Sequence, residues 1–249
     1  MYNQGVSLIS TFNNHMKPLI RWTAGKMSSE GGKCLIHSIK EWTNTYKETF
    51  DKVVCFNGEC PEEFLSELAS MDVKCVDQTD YADSLSYSPY DTFWKFCPPR
   101  MRLNAHEIIV DNDLVIYKKL PDIEDFLNSN HVMVSAAHKH FYGQFDDILE
   151  SGINVNTGLI GLPPCFDIER KLNMVFNLYP FLSLNNHCDD QGAFLCATKG
   201  RLKIIPMDHI YVCNPQANFA PYKLGIYGTH FAGLNQEFVE YWERYKNKS

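Results

Sequence analysis

The chain has 249 residues, enough for one large domain with a substantial core, and its 45% apolar and 21% charged content excludes a disordered or fibrous protein. Lys and Arg number 23 against 30 Asp and Glu, a net charge of -7 that speaks against coating nucleic acid or anionic membrane by bulk charge. Nine cysteines, an odd number with no Cys-x-x-Cys spacing, exclude a secreted disulfide scaffold and a zinc knuckle.

The opening Met1-Tyr2-Asn3-Gln4-Gly5 carries no charged leader ahead of an apolar run, and no stretch approaches the ~18 apolar residues of a membrane span. A cytoplasmic location is the expectation. Residues 6–9 predict a first strand that ends in the polar Thr11-Phe12-Asn13-Asn14. Leu35, Ile36, Ile39, Trp42 and Tyr46 recur at helical spacing and predict an amphipathic helix over 33–47. Residues 53–56 form a short apolar run closed by Asn57-Gly58, a strand and turn. Pro61 then opens a helix with Phe64, Leu65 and Leu68 on one face, and 73–76 is a third strand. This β-α-β-α-β order implies a parallel sheet with right-handed crossovers.

Residues 106–110 predict a strand running into Asp111-Asn112-Asp113, with apolar residues 114–117 beyond it. A helix opens at Pro121, and strands follow at 131–136 and 156–161. Leu172, Val175, Phe176 and Tyr179 mark another helix, 202–205 and 210–212 two late strands, and Phe238, Tyr241, Trp242 and Tyr245 a final helix with an aromatic face. The expected architecture is one α/β domain over 1–249, with a mostly parallel sheet, helices on both faces and a less regular C-terminal half.

Asp111 and Asp113 carry the clearest chemical signal. Residues i and i+2 of an extended chain share a side, so both carboxylates can converge on one ion; Asp-Asn-Asp also reads as a plain turn. His230 sits in Gly228-Thr229-His230-Phe231-Ala232-Gly233, where small residues permit close backbone approach to a ligand. An imidazole added to two carboxylates favours Mn over Mg. His138 and His140 flank Lys139 without an accompanying metal signature. Neither a P-loop nor a Gly-x-Gly-x-x-Gly fingerprint is present.

Taken in chain order, four features resemble the A-type (GT-A fold) nucleotide-sugar glycosyltransferases, most closely the retaining glycogenin and galactosyltransferase-like group. They are the strand ending in Asp111-Asn112-Asp113, the Asn156-Thr157-Gly158 strand, the Asp190-Gln191 helix start and His230-Phe231-Ala232-Gly233. The resemblance spans residues 6–233. It implies a Rossmann-like fold with 1–117 as the nucleotide-binding half and 118–249 as the acceptor-binding half. It implies Asp111, Asp113 and His230 as ligands of Mn2+ (or Mg2+) at the donor diphosphate. Thr11, Phe12 and Asn13 match the place of the base and ribose, Asn156 and Gly158 the approach of sugar and acceptor, and Gly233 a further donor contact. Asp190 and Gln191 match the catalytic pair that holds donor sugar hydroxyls.

Two positions depart from the family pattern. The second acid of Asp-Gln-Asp is Gly192, and the lysine of His-x-x-Gly-x-x-Lys, six residues beyond the histidine, is Gln236. Trp94-Lys95, Arg100 and Arg102 are the expected substitutes for that cation, since a guanidinium fork suits phosphate. The implied activity is hexosyl or pentosyl transfer from a nucleotide diphosphate sugar, with retention, so that the leaving phosphate oxygen takes the acceptor proton. Inversion would instead require Asp189 or Asp190 as base. The acceptor stays open among a glycan, a protein, a small molecule and a hydroxylated DNA base, the last disfavoured by the acidic charge. Two alternatives stand beside this reading. One is a nucleotidyltransferase, for which Thr23-Ala24-Gly25-Lys26 is a poor Gly-rich loop; the other is a non-catalytic nucleotide-sugar-binding protein.

Overall fold

The computed structural model describes residues 16–233 apart from 26–27, 59, 61, 150–151, 183, 215–216 and 218–222. The expected strand at 6–9, Thr11, Phe12, Asn13, Gln236 and the aromatic segment 238–245 lie outside the described residues. Within them the first strand is β1 (Leu19–Gly25), whose apolar residues are interrupted by Arg21. Helix α1 (Ser29–Tyr46) follows, its start capped by the Ser28 side chain, which accepts from Gly31 N at 3.1 Å. Then come β2 (Asp51–Phe56), α2 (Glu62–Ser70), β3 (Val73–Asp77) and the short α3 (Thr79–Ala82).

After a 3-10 turn at Asp91–Phe96 the chain forms β4 (Glu107–Asp111), β5 (Leu114–Ile116), α4 (Pro121–Leu127), β6 (Val132–Ala136) and β7 (Val155–Leu162). The remainder is α5 (Ile168–Leu178), α6 (Asp189–Thr198), β8 (Leu202–Ile205), β9 (Ile210–Val212) and β10 (Gly228–His230).

Seven strands make the main sheet in the order β3-β2-β1-β4-β7-β6-β8. All its pairings are parallel except those of β7, which runs against both β4 and β6. A sheet wound this way is covered on both faces, so its strands bury alternate residues in two cores. Ile20, Trp22, Val54, Ile108 and Val110 pack with α1, α2 and α4. Ile109, Val134 and Ile160 pack on the other face with α5 and α6. A smaller sheet, β5-β10-β9, sits beside β4. All nine cysteines stand as thiols, and no helix among the described residues is long and apolar enough to cross a membrane.

Candidate active site

A cleft of about 400 Å³ opens at the carboxyl ends of β1 and β4, where open α/β sheets receive ligands. β4 delivers Asp111 as its last residue, in register with Thr23 of the parallel β1. Thr23, Ala24 and Gly25 line the cleft. This end of β1, the strand beside the central β4, thus forms one wall of the cleft.

Asp111-Asn112-Asp113 is a turn and also a convergence of carboxylates. The chain reverses into β5, and β10 pairs antiparallel to β5 with His230 opposite Leu114, one residue from Asp113. Phe231 N donates to Asp113 O at 3.0 Å and holds that register. His230 Nε2 consequently lies 3.0 Å from Asp113 Oδ1 and 3.7 Å from Asp111 Oδ2. Asp111, Asp113 and His230 bring ligand atoms within 4.8 Å of one another, the one such cluster among the described residues. Sequence spacing does not join position 230 to 111; strand pairing does.

Lys95 completes the charge arrangement. Its ammonium, only 4% exposed, lies 3.1 Å from Asp111 Oδ1 and 3.1 Å from Asp190 Oδ2, and it donates to Thr157 O at 3.2 Å. Burial disfavours that ammonium, but Asp111 and Asp190 outweigh burial and hold it protonated well above its ordinary range. Burial pushes Asp111 up in spite of Lys95 and His230. At Asp190 burial is outweighed by Lys95 and by hydrogen bonds from Thr157 and Thr92, so this carboxyl stays below the usual range. Burial also works against a charged His230, and Asp113 more than reverses it.

The donor set fits a divalent cation. Two carboxylates and an imidazole are suitable ligands, and the nitrogen suits a transition ion such as Mn2+. Asp113 draws His230 toward its charged form, and an ion that displaces that proton leaves the carboxylates of Asp111, Asp113 and Asp190 set against Lys95, an excess of two negative charges. A divalent ion balances that excess.

β7 and α6 supply the far wall. Between β6 and β7 the register jumps, with Val134 opposite Ile160 but Ser135 opposite Asn156. The bulge at 157–159 releases backbone groups and re-aims side chains, as bulges beside active sites do. Thr157 N donates to Gln191 Oε1 at 3.3 Å, and Gln191 Nε2 donates to Phe141 O at 2.8 Å. Asp190 accepts from Thr92 Oγ1 at 2.6 Å and from Thr157 Oγ1. His187, at the rim, pairs with Asp91 through Nδ1 and Oδ2 at 2.7 Å. Asn156 and Gly233 line the cleft, while Gly158 packs beneath the His230 ring.

Other expected residues are placed elsewhere. Arg100 donates to the carbonyls of Arg102, Ala105, Leu162, Pro163 and Phe166, and Arg102 pairs with Asp51 at 2.6 Å. Both lie near the starts of β2 and β4, the opposite end of the sheet from the cleft. Their role as diphosphate cations is corrected: the guanidiniums are occupied by backbone carbonyls and by Asp51. Lys95 is the one Lys or Arg among the described residues that line the cleft. Asp189 accepts from Gln144 N at 2.7 Å, Gln144 Nε2 at 2.7 Å and Asn186 N at 2.9 Å, which makes it a loop anchor. His138 Nε2 meets Val212 O at 3.0 Å.

Neither a protein-family model nor a curated protein sequence matches the chain. Solved structures do match it. Mouse xyloside xylosyltransferase 1 in its apo form superposes with a TM-score of 0.64 at 12% identity, over 88% of this chain and 99% of that one. Galactosyltransferase LgtC, in complex with donor and acceptor sugar analogs, gives 0.62 at 12% identity over 90% and 95%. The glycosyltransferase GlyE of Streptococcus pneumoniae TIGR4 gives 0.55 at 13% identity over 93% of this chain and 63% of that one. The chain has the GT-A fold of glycosyltransferases. At these identities the likeness establishes architecture, and the chemistry rests on the residues in the cleft.

Within this GT-A chain the departure at Gly192 has a steric cause. A Cβ there would lie 2.5 Å from Phe145 Cβ and 2.5 Å from Tyr142 O, so the position faces packed interior and has no room for an acid. Gly192→Asp is expected to lower unfolding stability by about 3 kcal/mol or more through overpacking and a buried carboxylate. Urea denaturation checks this, and an unchanged midpoint would contradict the packing argument.

Proposed function

We propose that the protein is a metal-dependent glycosyltransferase that takes its sugar from a nucleotide diphosphate donor. The observation that carries this reading is the meeting of Asp111, Asp113 and His230 at one point of a GT-A cleft, beside the buried Asp190–Lys95 pair. In this reading Asp111, Asp113 and His230 hold Mn2+ or Mg2+ at the diphosphate. Bound there, the ion supplies Lewis-acid stabilisation of the departing diphosphate.

The remaining roles follow from the side chains. Thr23, Ala24 and Gly25, at the end of β1, receive the nucleotide, and residues 1–117 serve mainly as the nucleotide-binding half. Residues 118–249 supply Asn156, Gly158, Asp190, Gln191 and Gly233 around the sugar and acceptor. Asp190 accepts three hydrogen bonds or ion-pair contacts, from Thr92, Thr157 and Lys95. A carboxylate has about four acceptor sites, so one remains for a sugar hydroxyl or for positive charge developing at the anomeric carbon. Lys95 fixes that carboxylate and adds cationic character beside the phosphates.

Retention is the stereochemical course we propose. A general base works best with a pKa near the operating pH. Asp190 is held below the ordinary carboxylate range, and Asp189 is engaged by Gln144 and Asn186. With both poorly suited as bases, the leaving phosphate oxygen takes the acceptor proton. The acceptor is proposed to be a glycan, protein or small molecule in preference to DNA, in keeping with the net charge of -7.

A thermal-shift panel of nucleotide sugars with and without Mn2+ tests the reading, because a ligand of the native state raises the melting temperature. One nucleotide class should give a Mn2+-dependent rise, and the same donor should release nucleoside diphosphate on turnover. Pyrophosphate release would point to nucleotidyl transfer, and binding without turnover against any acceptor to a donor-binding protein. No shift with any donor would remove the proposal.

A further inference from the structure

Asn156 lines the cleft, and its side-chain oxygen is engaged there by two neighbours. Asn156 Oδ1 accepts from the backbone N–H of Gly158 at 2.9 Å. A backbone N–H donates only to the oxygen of an amide, so this bond fixes which way the Asn156 amide points. The same Oδ1 lies 2.8 Å from His230 Nδ1. Two acceptors cannot share a hydrogen bond, so Nδ1 carries the proton and donates. Nε2 faces Asp113 Oδ1 at 3.0 Å and Asp111 Oδ2 at 3.7 Å, so a cation that takes the place of the proton between them meets the Nε2 lone pair while Nδ1 keeps its proton.

The glycine two residues on belongs to the same device. A Cβ at position 158 would sit 2.4 Å from His230 Cε1, 2.5 Å from His230 Nδ1 and 2.7 Å from Asn156 Oδ1. Gly158 thus leaves the space in which the ring lies against Asn156. The bulge of β7 brings both residues there, and β10 brings the ring.

We propose that Asn156 is a positioning residue for the metal site: it holds His230 as the Nδ1–H tautomer and aims Nε2 at the point shared with Asp111 and Asp113. This rests on the metal-dependent reading above. Outer partners of metal-bound histidines commonly act in this way, and their loss costs about 10- to 100-fold in metal affinity.

Two measurements test it, neither requiring turnover. In the wild type loaded with diamagnetic Zn2+, long-range 15N–1H spectra of the His230 ring should show a protonated Nδ1 and a metal-bound Nε2 without a proton; a ring that binds through Nδ1, or keeps its proton on Nε2, would overturn the proposal. Mn2+ titration without donor, read by electron paramagnetic resonance, should weaken about 10- to 100-fold in Asn156→Leu. Asn156→Asp keeps the acceptor and should bind Mn2+ at least as well as the wild type. Circular dichroism verifies that both variants fold. Unchanged Mn2+ affinity in folded Asn156→Leu, with only donor affinity reduced, would assign Asn156 to the sugar and sink the proposal. A wild type that takes up no metal ion would instead defeat the metal reading itself, while a metal-free spectrum with Nδ1 unprotonated would defeat the Asn156–His230 pairing.

Discussion

Asp113→Ala is expected to abolish Mn2+-dependent donor binding, weakening it by more than about 100-fold, beyond what loss of an outer-shell partner costs. Asp113 Oδ1 is the carboxylate oxygen nearest His230 Nε2, at 3.0 Å, so its removal takes away one of three ligands and the acid that draws the imidazole into place. The fold should survive. The bond that registers β10 against the turn, from Phe231 N to Asp113 O, uses the backbone and is indifferent to the side chain. Calorimetric titration of the donor with Mn2+ present measures the effect. Undiminished affinity in a folded Asp113→Ala protein would show that the ion sits elsewhere.

Lys95→Met should produce the largest loss of stability, about 3–5 kcal/mol, the usual consequence of deleting one partner from a buried ion pair. The ammonium is the common partner of Asp111 and Asp190, and without it the buried Asp190 carboxylate and the half-buried Asp111 carboxylate are left without their shared cation. The pH dependence follows from the depressed Asp190 carboxyl. A group whose folded pKa lies below its unfolded value, about 3.9 for Asp, contributes stability that is fully present above that unfolded value. The contribution disappears as pH falls through the folded value. The stability gap between wild type and Lys95→Met should therefore narrow as pH drops below about 4, in denaturant titrations run across the acid range. A gap that stays constant there would mean that the pair adds nothing electrostatic.

The elements legible in the sequence are those whose burial follows a simple period. α1 shows its core face as Leu35, Ile36, Ile39, Trp42 and Tyr46, all buried, and β4 and β5 are continuous apolar runs broken only by Asp111-Asn112-Asp113. β1 leaves no simple apolar run in the sequence, because Arg21 interrupts it. In the fold Arg21 is fully buried, 3.2 Å from Glu107 and donating to Pro98 O at 2.6 Å, so a charge that reads as solvent-facing is part of the core. α6 has apolar or small residues on every side, Ala193 to Ala197 among them, and shows no amphipathic stripe; only its Asp190-Gln191 start gave it away.

The candidate site divides in the same way. Asp111 and Asp113 are visible because two residues on one strand share a side, whereas His230 joins them through the β5–β10 pairing between distant segments. Basic residues before β4 were identified as a group, but composition does not say which of them turns inward. Arg100 meets a ring of carbonyls and Lys95 meets carboxylates, a distinction made by the loop's path and absent from the sequence pattern. The bulge in β7, which turns Asn156 toward His230, likewise leaves no periodic trace.

The most direct test of the central claim is the anomalous scattering of Mn2+ in crystals soaked with the metal and a nucleoside diphosphate. The account predicts one strong peak within coordination distance of Asp111, Asp113 and His230, with the diphosphate touching it. A peak elsewhere, or a diphosphate bound in the cleft with no metal between it and these residues, would contradict the account.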